Sequence, residues 1–184
     1  MKWQTGMGIL LSCIIFGGCQ SIPSWPESSG FLESYTGMHY SDELKDFLIF
    51  THRDKKVADY SKFLVDPVVA YLNPGARAYH ADPAELKKIT DTLYVQIVSA
   101  LQKHGAVVGA PGEGVLRVKV AITDIYNLES DAAKRGLLEA EFVDTRTREC
   151  IFSMMAAKRG IAFSEFGELL GEKLKEVKSE TRIE

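Results

Sequence analysis

The sequence predicts an α+β domain: a largely antiparallel sheet of about four strands with two main helices packed on one face. Three observations predict it. Leu86, Ile89, Leu93, Ile97, Ala100 and Leu101 recur every three or four residues, the period of an amphipathic helix. Leu116, Val118, Val120 and Ile122 alternate with Arg117, Lys119 and Thr123, the period of a half-buried strand. Phe166, Leu169, Leu170, Leu174 and Val177 form a second helical stripe near the end of the chain.

The amino terminus is of another kind. Lys2 precedes a short apolar run, Met7 to Phe16, which ends in Gly17-Gly18-Cys19. The run is too short to span a hydrocarbon layer, which needs about 20 helical residues. The pattern resembles a bacterial lipobox, with cleavage between Gly18 and Cys19 and lipid carried on Cys19. Phe16 stands where a lipobox usually has Leu. An uncleaved anchor or a buried helix is the alternative, and a glycine pair before Cys suits neither. The expected division is a signal peptide over 1–18, a lipidated tether over 19–30 and a single domain over 31–184. Two or three acyl chains on Cys19 suffice for stable attachment, since each buried methylene contributes about 0.8 kcal/mol. Gln20, rather than Asp, after the lipidated residue implies by the same resemblance the outer membrane, facing the periplasm.

Composition narrows the function. The net charge of −3 falls further when Lys2 leaves with the leader. That disfavours nucleic acid as a partner and a polybasic grip on the membrane. Of three cysteines, Cys13 leaves with the leader and Cys19 is acylated, so Cys150 has no disulfide partner. It reads as a small buried hydrophobe.

In chain order, Gln20 to Gly30 holds two prolines and four serines and makes a polar tether reaching about 20–30 Å. Trp25 can rest at the lipid interface or dock on the domain. Ser41-Asp42-Glu43 opens a short helix with Leu44, Phe47 and Leu48 on one face, although Leu48 to Thr51 also suits an extended segment. Phe63 to Leu72 is a strand with an edge or bulge at Pro67, closed by Asn73-Pro74-Gly75. Asp82 caps the clearest helix, Pro83 takes its first position, and a left-handed Gly105 stops it. Val115 to Tyr126, Leu137 to Val143 and Cys150 to Ala157 follow as strands. The last two form a hairpin across Asp144 to Arg148. Glu139 and Glu141 point outward, opposite Arg117 and Lys119. Ser164 caps the last helix.

Together these segments resemble a family of uncharacterised bacterial lipoproteins, domain of unknown function 3313. The resemblance rests on Ser29 to Leu32, Tyr60 to Val68, Pro111 to Asp124, Glu139 to Asp144, and Thr147. It implies the membrane address and the fold, and no activity. Two departures stand out. Arg148 occupies a place where the family has Gly, which bears on a turn needing positive φ. The segment Tyr126 to Gly136 is shorter than in the family.

Chemistry-bearing residues are sparse. Asp66, Asp124 and Asp144 could serve as general acids or bases, but read as local acceptors at strand ends and turns. His39, His52, His80 and His104 lack metal-ligand spacing. Pro111-Gly112-Glu113-Gly114 lacks the Lys of a phosphate loop, and no Gly-x-Ser-x-Gly elbow occurs. No catalytic residue, metal ligand or cofactor is expected. Arg135, Arg146 and Arg148 are the candidate contacts for an anionic ligand or partner. The expected function is a non-enzymatic outer-membrane lipoprotein that binds an envelope protein. A periplasmic module for a glycan, peptide or lipid is the alternative, and a hydrolytic enzyme is disfavoured.

Overall fold

A computed structural model describes residues 28–41, 46–126, 135–156 and 161–180, with side chains through residue 172. Among them are β1 (His39–Tyr40), β2 (Phe47–Thr51), a 3-10 turn (Val57–Asp59), β3 (Lys62–Val65) and β4 (Val69–Ala70). Then come α1 (Pro83–Gln102), β5 (Ala106–Val107), β6 (Val115–Tyr126), β7 (Arg135–Asp144), β8 (Cys150–Ala156), β9 (Ile161–Ala162) and α2 (Phe163–Glu180).

The strands form one sheet in the order β1-β2-β8-β7-β6-β3-β5, with β4 on β6 and β9 on β7. Nine strands, not about four, make the sheet among the described residues. The count was hidden because β1, β4, β5 and β9 are two residues each, too short to show alternation. The expected strand from Phe63 splits at Asp66-Pro67 into β3 and β4, where Pro67 has no N–H to donate. Phe47 and Leu48 belong to strand β2 rather than to a helix, pairing with Ala156 and Met155. Residues 42–45, which carry the rest of that expected helix, lie outside the described residues. The sheet is largely antiparallel. The exceptions are β3 on β5, β3 on β6 and β4 on β6, which are parallel.

Helix α1 starts where its local chemistry dictates. Asp82 accepts the Ala84 N–H at 2.9 Å, and Pro83 takes the first turn, where no N–H is needed. Ile89, Leu93, Ile97, Ala100 and Leu101 are buried. Gly105 ends the helix for a reason other than the expected one. Its φ is not left-handed. It is needed because a Cβ there would lie 2.3 Å from the Ser61 carbonyl oxygen, beside the Ala106 N–H to Ser61 bond that joins β5 to β3.

One core lies between the helices and the sheet. Val118, Val120 and Ile122 of β6, Leu138, Ala140 and Phe142 of β7, and Met154 of β8 meet Leu93, Ile97, Leu101, Phe166 and Leu170. The other sheet face is covered as well. Residues 28–38 run across it as an amino-terminal arm, and Leu32 and Met38 pack on Leu48 and Met155. Phe31, Tyr35, Tyr40 and Phe50 flank this second cluster. Glu139 and Glu141, expected to point into solvent, are only 1% and 2% exposed beneath the arm. Lys119 does face Glu141 across the β6–β7 ladder and pairs with it at 2.9 Å. Arg117 faces Val143, and its Nε donates to both oxygens of Asp66 at 2.9 Å.

Candidate functional site

Polar chemistry concentrates where the arm crosses the sheet. The Tyr35 hydroxyl donates to Glu139 Oε2 at 2.7 Å and accepts the N–H groups of Gly30 and Leu32 at 2.9 and 3.3 Å. Burial first, and then the neighbouring Glu139 carboxylate, hold the Tyr35 hydroxyl above its ordinary pKa, so it stays a donor. The Glu33 N–H donates to Glu141 Oε1 at 3.3 Å, while Lys119 holds the other oxygen. Two carboxylates on neighbouring alternate positions of β7 thus fix the arm, which covers them and leaves Glu139 Oε1 buried without a hydrogen-bond partner among the described residues.

A cavity of about 240 Å³ opens beside this seam. Glu33, Ser34 and Thr36 of the arm form one wall, and Phe50, Glu141, Arg148 and Cys150 the other. It combines an aromatic ring, hydroxyls and charges of both signs, a lining suited to a small amphipathic group. Burial, and next the Glu141 charge, push the Cys150 thiol up to about 11, so it lines the cavity as a neutral thiol at pH 7.

The β7–β8 turn shapes one end of the cavity. Asp144 Oδ1 accepts from the N–H groups of Arg146 and Thr147, and Oδ2 takes the Tyr60 hydroxyl at 2.6 Å. Lys55 pairs with Glu149 across the same turn. Burial works against the Asp144 charge, yet the Tyr60 hydroxyl and the two N–H donors outweigh it, holding the carboxyl below its ordinary range. A depressed carboxylate contributes stability above its unfolded pKa and loses it as pH falls through the folded one. Tyr60→Phe is therefore expected to weaken the acid-side dependence of stability, read as a smaller loss of Tm between pH 5 and pH 3.

Arg148 closes the turn with φ at +63°, the left-handed region. The position thus requires what glycine supplies freely, which answers the question raised by the departure at this residue. Arg148→Gly is expected to raise stability by about 1 kcal/mol, seen as a higher urea midpoint at unchanged slope.

The three candidate arginines do not form one patch. Arg146 and Arg148 share the turn after β7, whereas Arg135 opens β7 at its other end, in register with Tyr126 and Ala162. Arg146 lies 3.6 Å from Glu113, and only Arg148 lines the cavity. Gly18 and Cys19 lie outside the described residues. The segment Tyr126 to Gly136 is described only at its ends. Asp66, Asp124 and Asp144 have separate partners, each including one distant in sequence: Arg117 for Asp66, the N–H groups of Arg77 and Ile125 for Asp124, and the turn and Tyr60 for Asp144. Among the described residues, no group of three or more His, Cys, Asp or Glu is placed to hold a metal ion. No described helix is long and apolar enough to cross a membrane. The residues that sequence reasoning missed are Glu33, Tyr35, Phe50, Glu139 and Glu141. The only available signal was two acids at strand spacing, which reads as a solvated face.

Comparison with solved structures gives loose likenesses. The PelC dodecamer from Paraburkholderia phytofirmans matches at 11% identity and TM-score 0.42, over 72% of this chain and 96% of that one. A DUF4136 family protein from Bacteroides thetaiotaomicron matches at 8% identity and TM-score 0.39, over 74% and 96%. A DUF330 protein from Xanthomonas campestris matches at 15% identity and TM-score 0.32, over 67% and 84%. No curated protein matches the chain. The profile described as "Protein of unknown function (DUF3313)" covers residues 27–138, more than half of the sequence, and the chain belongs to that family.

Proposed function

We propose that the protein is an outer-membrane lipoprotein, held by acyl chains on Cys19, whose periplasm-facing domain binds an envelope protein without catalysing a reaction. The observation that carries this reading is the apolar run ending in Gly17-Gly18-Cys19, followed by a short polar tether. The fold is consistent with it. The last residues of the tether, Ser28 to Gly30, lead straight into the arm, so the anchor joins a segment bound to the sheet. Intact-mass analysis of the full-length product from membranes tests it. The expected mass is that of a chain starting at an acylated Cys19, and Cys19→Ser should lose both the lipid and the cleavage. An intact leader or a bare Cys19 thiol overturns the reading.

A second reading has its own support. The cavity of Glu33, Phe50, Glu141 and Arg148 favours a binding module for a small amphipathic ligand, such as part of a glycan, a peptide end or a lipid headgroup. Crosslinking in intact membranes separates the two. A stable protein adduct supports the first. Adducts absent, with copurified small molecules lost in Phe50→Ala, support the second.

A further inference from the structure

We propose that β4 and the loop after it, residues 69–80, form a membrane-contact surface that rests on the phospholipid headgroup layer. The inference rests on the anchoring reading above and specifies how the domain sits once anchored. Val69 and Tyr71 lie two residues apart and are 42% and 43% exposed, two of the few large hydrophobic side chains left in solvent among the described residues. Tyr79 in the same loop is exposed too. The Phe31 ring packs 5.9 Å from the Tyr71 ring. Gly30 sits against the same side chain: a Cβ there would lie 3.8 Å from the Tyr71 hydroxyl. The tether therefore joins the domain beside this patch, and a short connection to the lipid brings the patch to the bilayer first.

Charge points the same way. Pro67 to Ala81 contains no Asp or Glu, in a chain that has 25 of them. The loop offers Arg77 and His80, both exposed. The Arg77 guanidinium lies 4.2 Å from the Tyr126 ring centroid. The nearby Asp124 carboxylate accepts the N–H groups of Arg77 and Ile125 on its Oδ1. Exposed tyrosines, an aliphatic side chain and a cation in a loop with no acid of its own match the chemistry of the headgroup layer, where amphipathic rings settle and anionic lipid attracts basic groups.

The test uses full-length lipidated protein in vesicles of phosphatidylethanolamine and phosphatidylglycerol with brominated acyl chains. Trp25→Phe removes the tether's indole. Tyr71→Trp and Val95→Trp, the latter at an exposed site on α1, are then compared. Bromine is expected to quench emission from Tyr71→Trp about twofold and to leave Val95→Trp unchanged. Protein that floats with the vesicles while neither variant is quenched overturns the contact and leaves the anchor standing. Protein that does not float overturns both. Should Tyr71→Trp fold poorly, amide exchange of the parent protein over residues 69–80 reads the same contact. Slower exchange on vesicles than for a soluble form lacking residues 1–19 supports it, and equal exchange overturns it. Slowing that appears only after envelope proteins are added assigns the patch to a protein partner and also overturns it.

Discussion

Val118→Asp should leave no folded domain. Val118 is fully buried at the centre of the helix-facing core, opposite Phe142 on β7. A carboxylate there has no cationic partner within the apolar cluster. Burying it costs on the order of 5 kcal/mol, comparable with the total stability of a domain. Circular dichroism and limited proteolysis should report an unfolded chain. Arg117→Ala, one residue away on the other face, is the matched control. It removes a half-exposed ion pair with Asp66, which contributes at most about 1 kcal/mol. If the two variants behave alike, the face assignment of β6 is wrong.

Gly105→Ala should destabilise the domain by about 3 kcal/mol through a backbone clash that side-chain movement cannot relieve. The added methyl would meet the Ser61 carbonyl oxygen at 2.3 Å and its carbon at 2.7 Å, with the Phe63 ring behind at 3.0 Å. Either α1 shifts or the β3–β5 pairing opens. Gly109→Ala, which meets open space in the following loop, should change stability by less than about 0.5 kcal/mol. Urea midpoints for the two variants give the comparison directly. Equal midpoints would remove the reason for glycine at the end of α1.

The sequence was legible wherever a signal was local or periodic. Asp82-Pro83 marked the start of α1, the alternation in β6 named its buried face, and the Lys119–Glu141 pair followed from register. What stayed hidden depended on distant covering segments. Glu139 and Glu141 carry charge at outward-facing positions, so they read as solvated, and nothing local reveals that residues 28–38 lie over them. The arm itself has no period, because Leu32, Tyr35 and Met38 reach the sheet from irregular backbone. The cavity was illegible for the same reason: its lining joins Glu33, Ser34, Thr36 and Phe50 to Glu141, Arg148 and Cys150 from the far end of the sequence. Arg148 is a middle case. Its departure from glycine raised the question of φ, and only the turn geometry answered it.

The position of β2 has a consequence for how the polypeptide acquires its shape during synthesis. Phe47 pairs with Ala156, and among the described residues β2 has no sheet neighbour other than β1 and β8. A ribosome releases the first of these residues long before the second, so the early third of the chain must wait for the late hairpin before it can dock. Until then Leu48 lacks Met155, its partner from the late hairpin, and a chaperone that shields such greasy stretches would find its substrate here.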